Sequence, residues 1–429
     1  MKKKIIIISS VVLSLVIAGL ITLFCFLNSF PSNFELKTDI GQMLDLNELL
    51  TKDQVMVDRD KIIEYVESVH PYFDLVEDKS AYEETKRSFI KATDKPMTVQ
   101  ELFMDCAGFL NFFQDGHTRL LWNQTTFFSV DLKYDNGFLY YEHAKSPVKT
   151  IDGIPVENIF NMINNLYPME NPMAQKRAYE QYSVNLEVLK LCKKNVPLNY
   201  VLLKTEDGSE YKFTTLLNTN IEYEKSRVYQ RENAVIVDFN LCDDDEVFKQ
   251  VCNDLKACIK KGMNKVIIDV RGNPGGDSRT CEKLLKILGM KVPEYSMYLR
   301  YSPKAAAQNG YKKTSGHYYH KGSVKKAKKN PKIDLIVLTD RYTFSSATML
   351  AVYVRDGKLG LIVGEPSANM PCAYGDNIYF SLPNSGITGT LSHKQFIRPD
   401  VSRKNERMLV PDDEINPDFA LDRALYLFK

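Results

Sequence analysis

The chain has 429 residues, 44% of them hydrophobic and 26% charged, a balance that supports a large packed core and argues against disorder away from the ends. Its 56 basic and 54 acidic residues leave a formal net charge of +2, so no global field exists to hold a polyanion and nucleic-acid binding has no electrostatic support. Eight cysteines include no C-x-x-C pair and no Cys/His cluster at zinc-ligand spacing, which leaves a structural zinc site without ligands.

At the amino terminus, Lys2, Lys3 and Lys4 precede an uncharged run from Ile5 to Leu27. As a helix that run reaches roughly 34 Å, enough to cross a bilayer core, with the lysines retained in the cytoplasm and the rest of the chain on the far side. A cleaved signal peptide is the alternative, but its apolar core is shorter and ends at a small-residue site, which Phe26-Leu27-Asn28-Ser29 does not supply. An uncleaved anchor is therefore favoured. Cys25 lies in this run, and the remaining seven cysteines cannot all pair within one chain. Most are expected as buried thiols, with one or two disulfides open.

Beyond a short linker at Pro31 to Lys37, helical periodicity runs from Met43 to Leu121. Ile62, Ile63, Val66 and Val69 share one face, and Leu102, Phe103, Ala107, Leu110 and Phe113 another. Asp115-Gly116 then supplies turn chemistry. From Phe127 to Phe213 the pattern changes to short strands, including Val130 to Leu132, Gly137 to Tyr141 and Val148 to Ile151, with a hairpin-type turn at Asp152-Gly153 and a short helix from Pro155 to Ile163. Val148 to Tyr167 resembles the strand, turn and short helix of a PDZ-like module; an unrelated α+β insert fits equally well. From Ala234 onward apolar strands (Ala234 to Phe239, Lys265 to Val270, Asp334 to Leu338, Leu361 to Val363) alternate with helices at Asp244 to Met263, Ser278 to Leu288 and Ser346 to Tyr353. That alternation implies right-handed crossovers and a largely parallel, covered sheet. The Lys-, Tyr- and Gly-rich stretch Tyr301 to Lys332 reads as an exposed loop.

Three segments carry chemistry. In Thr343-Phe344-Ser345-Ser346-Ala347-Thr348, small residues at a strand-to-helix turn put a serine hydroxyl at the carboxyl edge of the sheet, where α/β sheets bind ligands, and the following helix aims its free N–H groups at the same place. A plain N-cap is the commoner meaning of Ser-Ser before a helix. In Asp269-Val270-Arg271-Gly272-Asn273-Pro274-Gly275-Gly276, a buried strand runs into a turn whose glycines let the backbone approach a substrate closely. A nucleotide loop is excluded there by the lack of G-x-G-x-x-G and of a G-K-[ST] ending, and the absence of a G-x-S-x-G elbow speaks against a lipase or esterase. In Gln114-Asp115-Gly116-His117-Thr118-Arg119, His117 sits on a turn with the near-neutral pKa that a general base needs. His70, His143, His317, His320 and His393 read as structural.

These three segments, followed by Ile362-Val363-Gly364-Glu365-Pro366 and closed by Val410-Pro411-Asp412, resemble in order the C-terminal-processing (tail-specific) and tricorn-type serine peptidases. The resemblance implies an α/β fold with a crotonase/ClpP-like catalytic domain, and the chain divides accordingly into an anchor (1–30), a helical module (31–125), a small α+β, PDZ-like or unrelated module (126–220) and a catalytic domain (221–429). It implies a serine peptidase with no metal or organic cofactor and with a homo-oligomer left open, and with the amino-terminal anchor the expectation is a membrane-anchored enzyme acting on extracytoplasmic polypeptides. Of the family's two catalytic styles, the Ser–Lys dyad is ruled against, because Met370 stands near where its lysine belongs. The triad style points to Ser346 as nucleophile, with Ser345 its nearest rival, and to His117 as base. Glu406 is the candidate acid, with Asn405 or Asp400 in its place if the counting shifts. The N–H of Ala347 and that of Gly275 or Gly276 would form the oxyanion hole. An inactive peptide-binding protein on the same scaffold is the alternative.

Overall fold

In the computed structural model, the structure describes residues 42–429 apart from 123–124, 129, 194–195, 198 and 217–222. The run from Ile5 to Leu27 therefore lies outside the described residues. Among the described residues no helix is long and apolar enough to cross a membrane.

The amino-terminal helices are set by local signals. Helix α1 (Lys52–Val69) starts at a capping box in which Thr51 and Gln54 satisfy each other's backbone N–H groups, and α2 (Val99–Leu110) starts at a second, Thr98 with Glu101. Their buried stripes contain the residues expected from periodicity: Ile62, Ile63, Val66 and Val69 on α1, Leu102, Phe103, Ala107 and Leu110 on α2. A left-handed Gln114 at φ 47° then turns the chain back. It leads through Asp115-Gly116-His117 into a three-residue strand β1 (Arg119–Leu121).

A second layer follows, with β2 (Phe127–Phe128), β3 (Val148–Ile151), β4 (Ile154–Pro155), α3 (Val156–Leu166), α4 (Pro172–Tyr182), β5 (Tyr200–Thr205) and β6 (Glu210–Leu216). The strands pair antiparallel in the order β2-β6-β5-β3-β4. One apolar cluster takes in residues from Leu50 to Leu203 together with Ile378, Phe380 and Leu391, so the helical segment and the small sheet share a core.

The carboxyl-terminal half is the expected α/β layer. It contains β7 (Arg227–Arg231), β8 (Ala234–Asp238), α5 (Glu246–Lys260), β9 (Lys265–Asp269), α6 (Ser278–Ile287), β10 (Ser296–Arg300), β11 (His317–His320), β12 (Asp334–Thr339), α7 (Ser346–Asp356), β13 (Leu361–Gly364), β14 (Ala373–Ser381), β15 (Thr388–Ile397), β16 (Asp413–Glu414) and α8 (Pro417–Leu427). Strands β8, β9, β12, β13 and β16 are parallel neighbours, and β7 pairs antiparallel at one edge. Because successive strand side chains face opposite ways, Val266, Ile268, Leu335 and Val337 pack under α5, α6 and α7, while Ile267, Ile336 and Leu338 pack against Ala420, Ala424 and Leu425 of α8. Both faces are covered, which is why these strands read as continuous apolar runs.

Two features were not expected. The stretch from Tyr301 to Lys332 is no featureless loop: Ser302 caps a helix at Pro303–Asn309, and β11 pairs with β10. More consequentially, β10, β11, β14 and β15 form a separate antiparallel sheet, and β1 joins it by pairing Arg119 with Thr390 and Leu121 with Thr388. That pairing carries the His117 turn from the amino-terminal half to the mouth of the parallel sheet.

Candidate active site

The serine turn is held by its own hydrogen bonds. The buried Asp340 carboxylate accepts the N–H groups of Tyr342, Thr343 and Gly272, and Thr343 Oγ1 donates to Val270 O. Asn273 fastens the glycine turn: its Nδ2 donates to Phe239 O, its Oδ1 accepts the Gly275 N–H, and its carbonyl accepts the Phe344 N–H. The two turns touch so closely that a Cβ on Gly275 would lie 2.6 Å from Ser345 Cβ and 2.9 Å from the Ser346 nitrogen, so only glycine is accommodated there.

Ser345 sits at φ 52°, ψ −123°, a strained conformation for a residue with a side chain. That twist turns its hydroxyl out into a cleft of about 1390 Å³, where His117 Nε2 lies 3.1 Å from Ser345 Oγ. The two residues are 228 positions apart in sequence. Ser346, expected to meet the imidazole, does not: it is buried, and its hydroxyl donates to Gly276 O at 2.5 Å. As the first residue of α7 it follows the twist, and its side chain points back into the glycine turn.

The same shift replaces Ala347 among the expected amides and selects Gly276 over Gly275. The Ala347 N–H donates to Phe344 O and the Gly275 N–H to Asn273 Oδ1, so both are committed. Ser346 N–H and Gly276 N–H line the cleft beside Ser345, and neither has an acceptor among the described residues. They supply the two donors that a developing oxyanion on a Ser345-bound carbonyl requires.

Behind His117 stands Asp115. Its Oδ1 accepts the His117 backbone N–H at 2.9 Å and lies 3.6 Å from His117 Nδ1, which has no other partner. Its Oδ2 accepts hydroxyls from Thr118 and Ser392, both at 2.6 Å, and faces His70 Nε2 at 3.4 Å. His70 Nδ1 accepts the Tyr72 N–H, so its proton belongs on the nitrogen that faces the carboxylate. Burial pushes the Asp115 carboxyl up, but the hydrogen bonds and charges of His117 and His70 outweigh it and hold the group well below the usual carboxylate range. Burial lowers His70, keeping it neutral.

A second buried acid, Glu170, completes the network. Its carboxylate accepts the N–H groups of Gly116 and Met370 and the side-chain amide of Asn369, whose Oδ1 in turn accepts the Ser345 N–H. Burial first, and then the neighbouring Asp115 charge, push Glu170 up. Two adjacent acids are thus driven apart in proton affinity. Asp115, His117 and Glu170 each offer an atom within 4.8 Å of the others. Each of the three already has protein partners: Asp115 the Thr118 and Ser392 hydroxyls, Glu170 the Gly116, Met370 and Asn369 donors, and His117 Nε2 the Ser345 hydroxyl.

The family profile for peptidase family S41 matches residues 234–418, the segment that contains both the glycine turn and Ser345. Over this segment, somewhat less than half of its length, the chain is similar to peptidase family S41. Carboxy-terminal processing protease CtpB of Bacillus subtilis (strain 168) is 30% identical over 162 residues, which cover 35% of this chain and 30% of that protein. The crystal structure of mature CPAF matches with a TM-score of 0.59 at 12% identity, covering 87% of this chain and 96% of that one. Mature CPAF complexed with lactacystin gives 0.57 at 12% identity, covering 87% and 97%. At such identities the likeness is one of fold, and it extends well beyond the S41 segment into the amino-terminal layers.

Against that S41 frame, the acid expected after the serine is displaced. Glu406 accepts from Arg398 at 2.8 Å and from Arg403 at 2.7 Å, and it does not line the cleft. Arg398 is fully buried against Asp356, the last residue of α7, so Glu406 is held about 15 Å of helix away from Ser345. Asn405 is exposed and Asp400 caps the short turn Val401–Arg403, so neither reaches His117. Glu406→Gln is therefore expected to leave kcat/KM within about threefold and to cost no more than about 1 kcal/mol, since the side chain is 38% exposed. Steady-state kinetics and a denaturant melt check both. Met370 stands in the cleft wall as expected, and the one lysine among the lining residues, Lys394, is paired with Asp376. The described cysteines are all free thiols.

Proposed function

We propose that the protein is a serine peptidase that cleaves extended polypeptides, with Ser345 as nucleophile and His117 as general base. The observation that carries this reading is the 3.1 Å contact between His117 Nε2 and a strained serine hydroxyl in an open cleft. His117 Nε2 takes the Ser345 proton as Oγ attacks a peptide carbonyl carbon. The N–H groups of Ser346 and Gly276 hold the oxyanion. The protonated imidazole then gives its proton to the departing amine as the C–N bond breaks, leaving an acyl ester on Ser345. Water, deprotonated by His117, hydrolyses that ester and restores the serine. Asp115 orients the ring and stabilises its cationic form, acting as the positioning acid. No step calls for a metal or an organic cofactor.

The name of the relative CtpB supports carboxyl-terminal segments as the substrate class. The strand, turn and helix at Val148 to Leu166 support a PDZ-like role in admitting them. Lys2 to Lys4 ahead of the uncharged run Ile5 to Leu27 supports anchoring in the cell membrane with the peptidase outside the cytoplasm. An inactive scaffold is disfavoured by the intact serine–histidine pair. Incubating purified protein with an unstructured polypeptide such as β-casein tests the reading. Time-dependent fragments blocked by diisopropyl fluorophosphate are expected; neither fragments nor covalent inhibition at any substrate concentration would overturn it.

A further inference from the structure

Most charges lining the cleft neutralise one another. Glu180 is bound by Arg341 and by the Tyr342 hydroxyl, Asp277 holds Arg279, and Asp376 holds Lys394. Asp131 stands exposed at the rim. Two arginines remain. Arg119 and Arg177 line the cleft half-buried, and among the described residues neither is paired with a carboxylate. The polar company of Arg119 is the hydroxyls of Tyr182, Tyr167 and Tyr223. Arg177 Nε is buried with no hydrogen-bond partner, and its guanidinium lies over the Phe344 ring at 4.9 Å.

Their placement ties them to the reaction centre. Phe344 directly precedes Ser345, and its ring lies 4.9 Å from that of His117. Arg119 is two residues past His117, on β1. Burial first lowers the proton affinity of Arg177, and the Arg119 charge lowers it further, while Tyr182, Glu170 and Tyr342 act the other way. Two arginines line one cleft, and the buried Arg177 N–H lacks an acceptor, which is costly unless an anion supplies one. The planar fork of a guanidinium matches a carboxylate.

We infer that Arg119 and Arg177 form a subsite for a carboxylate of the peptide substrate, placed within a few residues of the bond that Ser345 attacks. The inference rests on the assignment of Ser345 and His117 as the catalytic pair. The carboxylate belongs to an acidic side chain or to a free carboxyl terminus, and both present the same group to the arginines.

Three random-sequence decapeptide libraries separate these sources: amidated without Asp or Glu, amidated with them, and free-acid without them. The purified protein cleaves each, and products are sequenced by mass spectrometry. One acid-bearing library is expected to turn over at least tenfold faster than the first, with cleavage at a fixed distance from the carboxylate; which library gains names the source. Arg177→Gln and Arg119→Gln each shrink that preference to less than threefold, and Arg177→Lys restores part of it. Reaction of an uncharged fluorophosphonate with Ser345 serves as the control that each variant retains a folded site. Equal turnover of all three libraries by the wild-type protein would overturn the inference, as would a preference that survives in a labelled double Gln variant. Absence of fluorophosphonate reaction in the wild-type protein would instead overturn the catalytic assignment beneath it.

Discussion

Ser345→Ala is expected to abolish peptide hydrolysis, lowering kcat by roughly 10⁶-fold, the loss seen when a serine nucleophile is removed from a serine–histidine site. Ser346→Ala is expected to do far less. The Ser346 hydroxyl makes one hydrogen bond, to Gly276 O, and so holds the peptide that follows the Gly276 N–H. A hydrogen bond of that kind contributes about 0.5–1.5 kcal/mol. Even if all of it were felt in the transition state, kcat would fall by no more than about tenfold. The contrast between adjacent serines, read as kcat on β-casein or a library-derived peptide, is thus several orders of magnitude. A null Ser346→Ala beside an active Ser345→Ala would reverse the assignment.

Asp115→Asn is expected to lower kcat by about 10³–10⁴-fold with KM changed only a few-fold. The geometry gives the reason. The carboxylate faces His117 Nδ1 at 3.6 Å, too long for a good hydrogen bond at rest, and that contact shortens as the ring gains charge. An amide in its place offers no charge to the imidazolium and can present its NH₂ to the ring, favouring the wrong tautomer. Glu170→Gln is the informative comparison. Glu170 acts at one remove, through Gly116, Met370 and Asn369, so a milder loss of about 10–100-fold is expected, and Asp instead of Gln should recover little because the shorter arm cannot span the same three donors. Stopped-flow or steady-state kinetics on the two variants, with near-identical circular dichroism, distinguishes an orienting charge from a merely structural one.

The parallel sheet was legible because its strands are apolar on both faces and are punctuated by Gly-Asn-Pro-Gly-Gly and Ser-Ser turns. Lys265–Asp269, Asp334–Thr339 and the helix after Ser345 fall within a residue or two of the expected bounds at most ends. His117 was legible as a motif, and the structure brings it to the serine turn. Which serine it meets was not, since a single backbone twist at φ 52° decides between two identical side chains and leaves no mark on composition. The acid was missed for another reason. Counting from the serine led to Glu406, but that segment is anchored by the buried Arg398–Asp356 pair at the far end of α7. The carboxylates that do surround His117 come from its own turn and from Glu170, beside the Asn171 cap of α4. His70 read as structural beside Pro71, and its approach to Asp115 exists only once α1 packs under β14 and β15. The three-residue strand β1 is too short for any periodicity to reveal, yet its pairing with β15 is what delivers the histidine.

The most direct measurement is to map a fluorophosphonate adduct by mass spectrometry on the full-length protein and on His117→Ala. A single adduct on Ser345 in the wild-type protein, with its rate of formation reduced at least a hundredfold in the variant, is the result the geometry predicts. An adduct on Ser346, or labelling of Ser345 that proceeds at an unchanged rate without the imidazole, would contradict it.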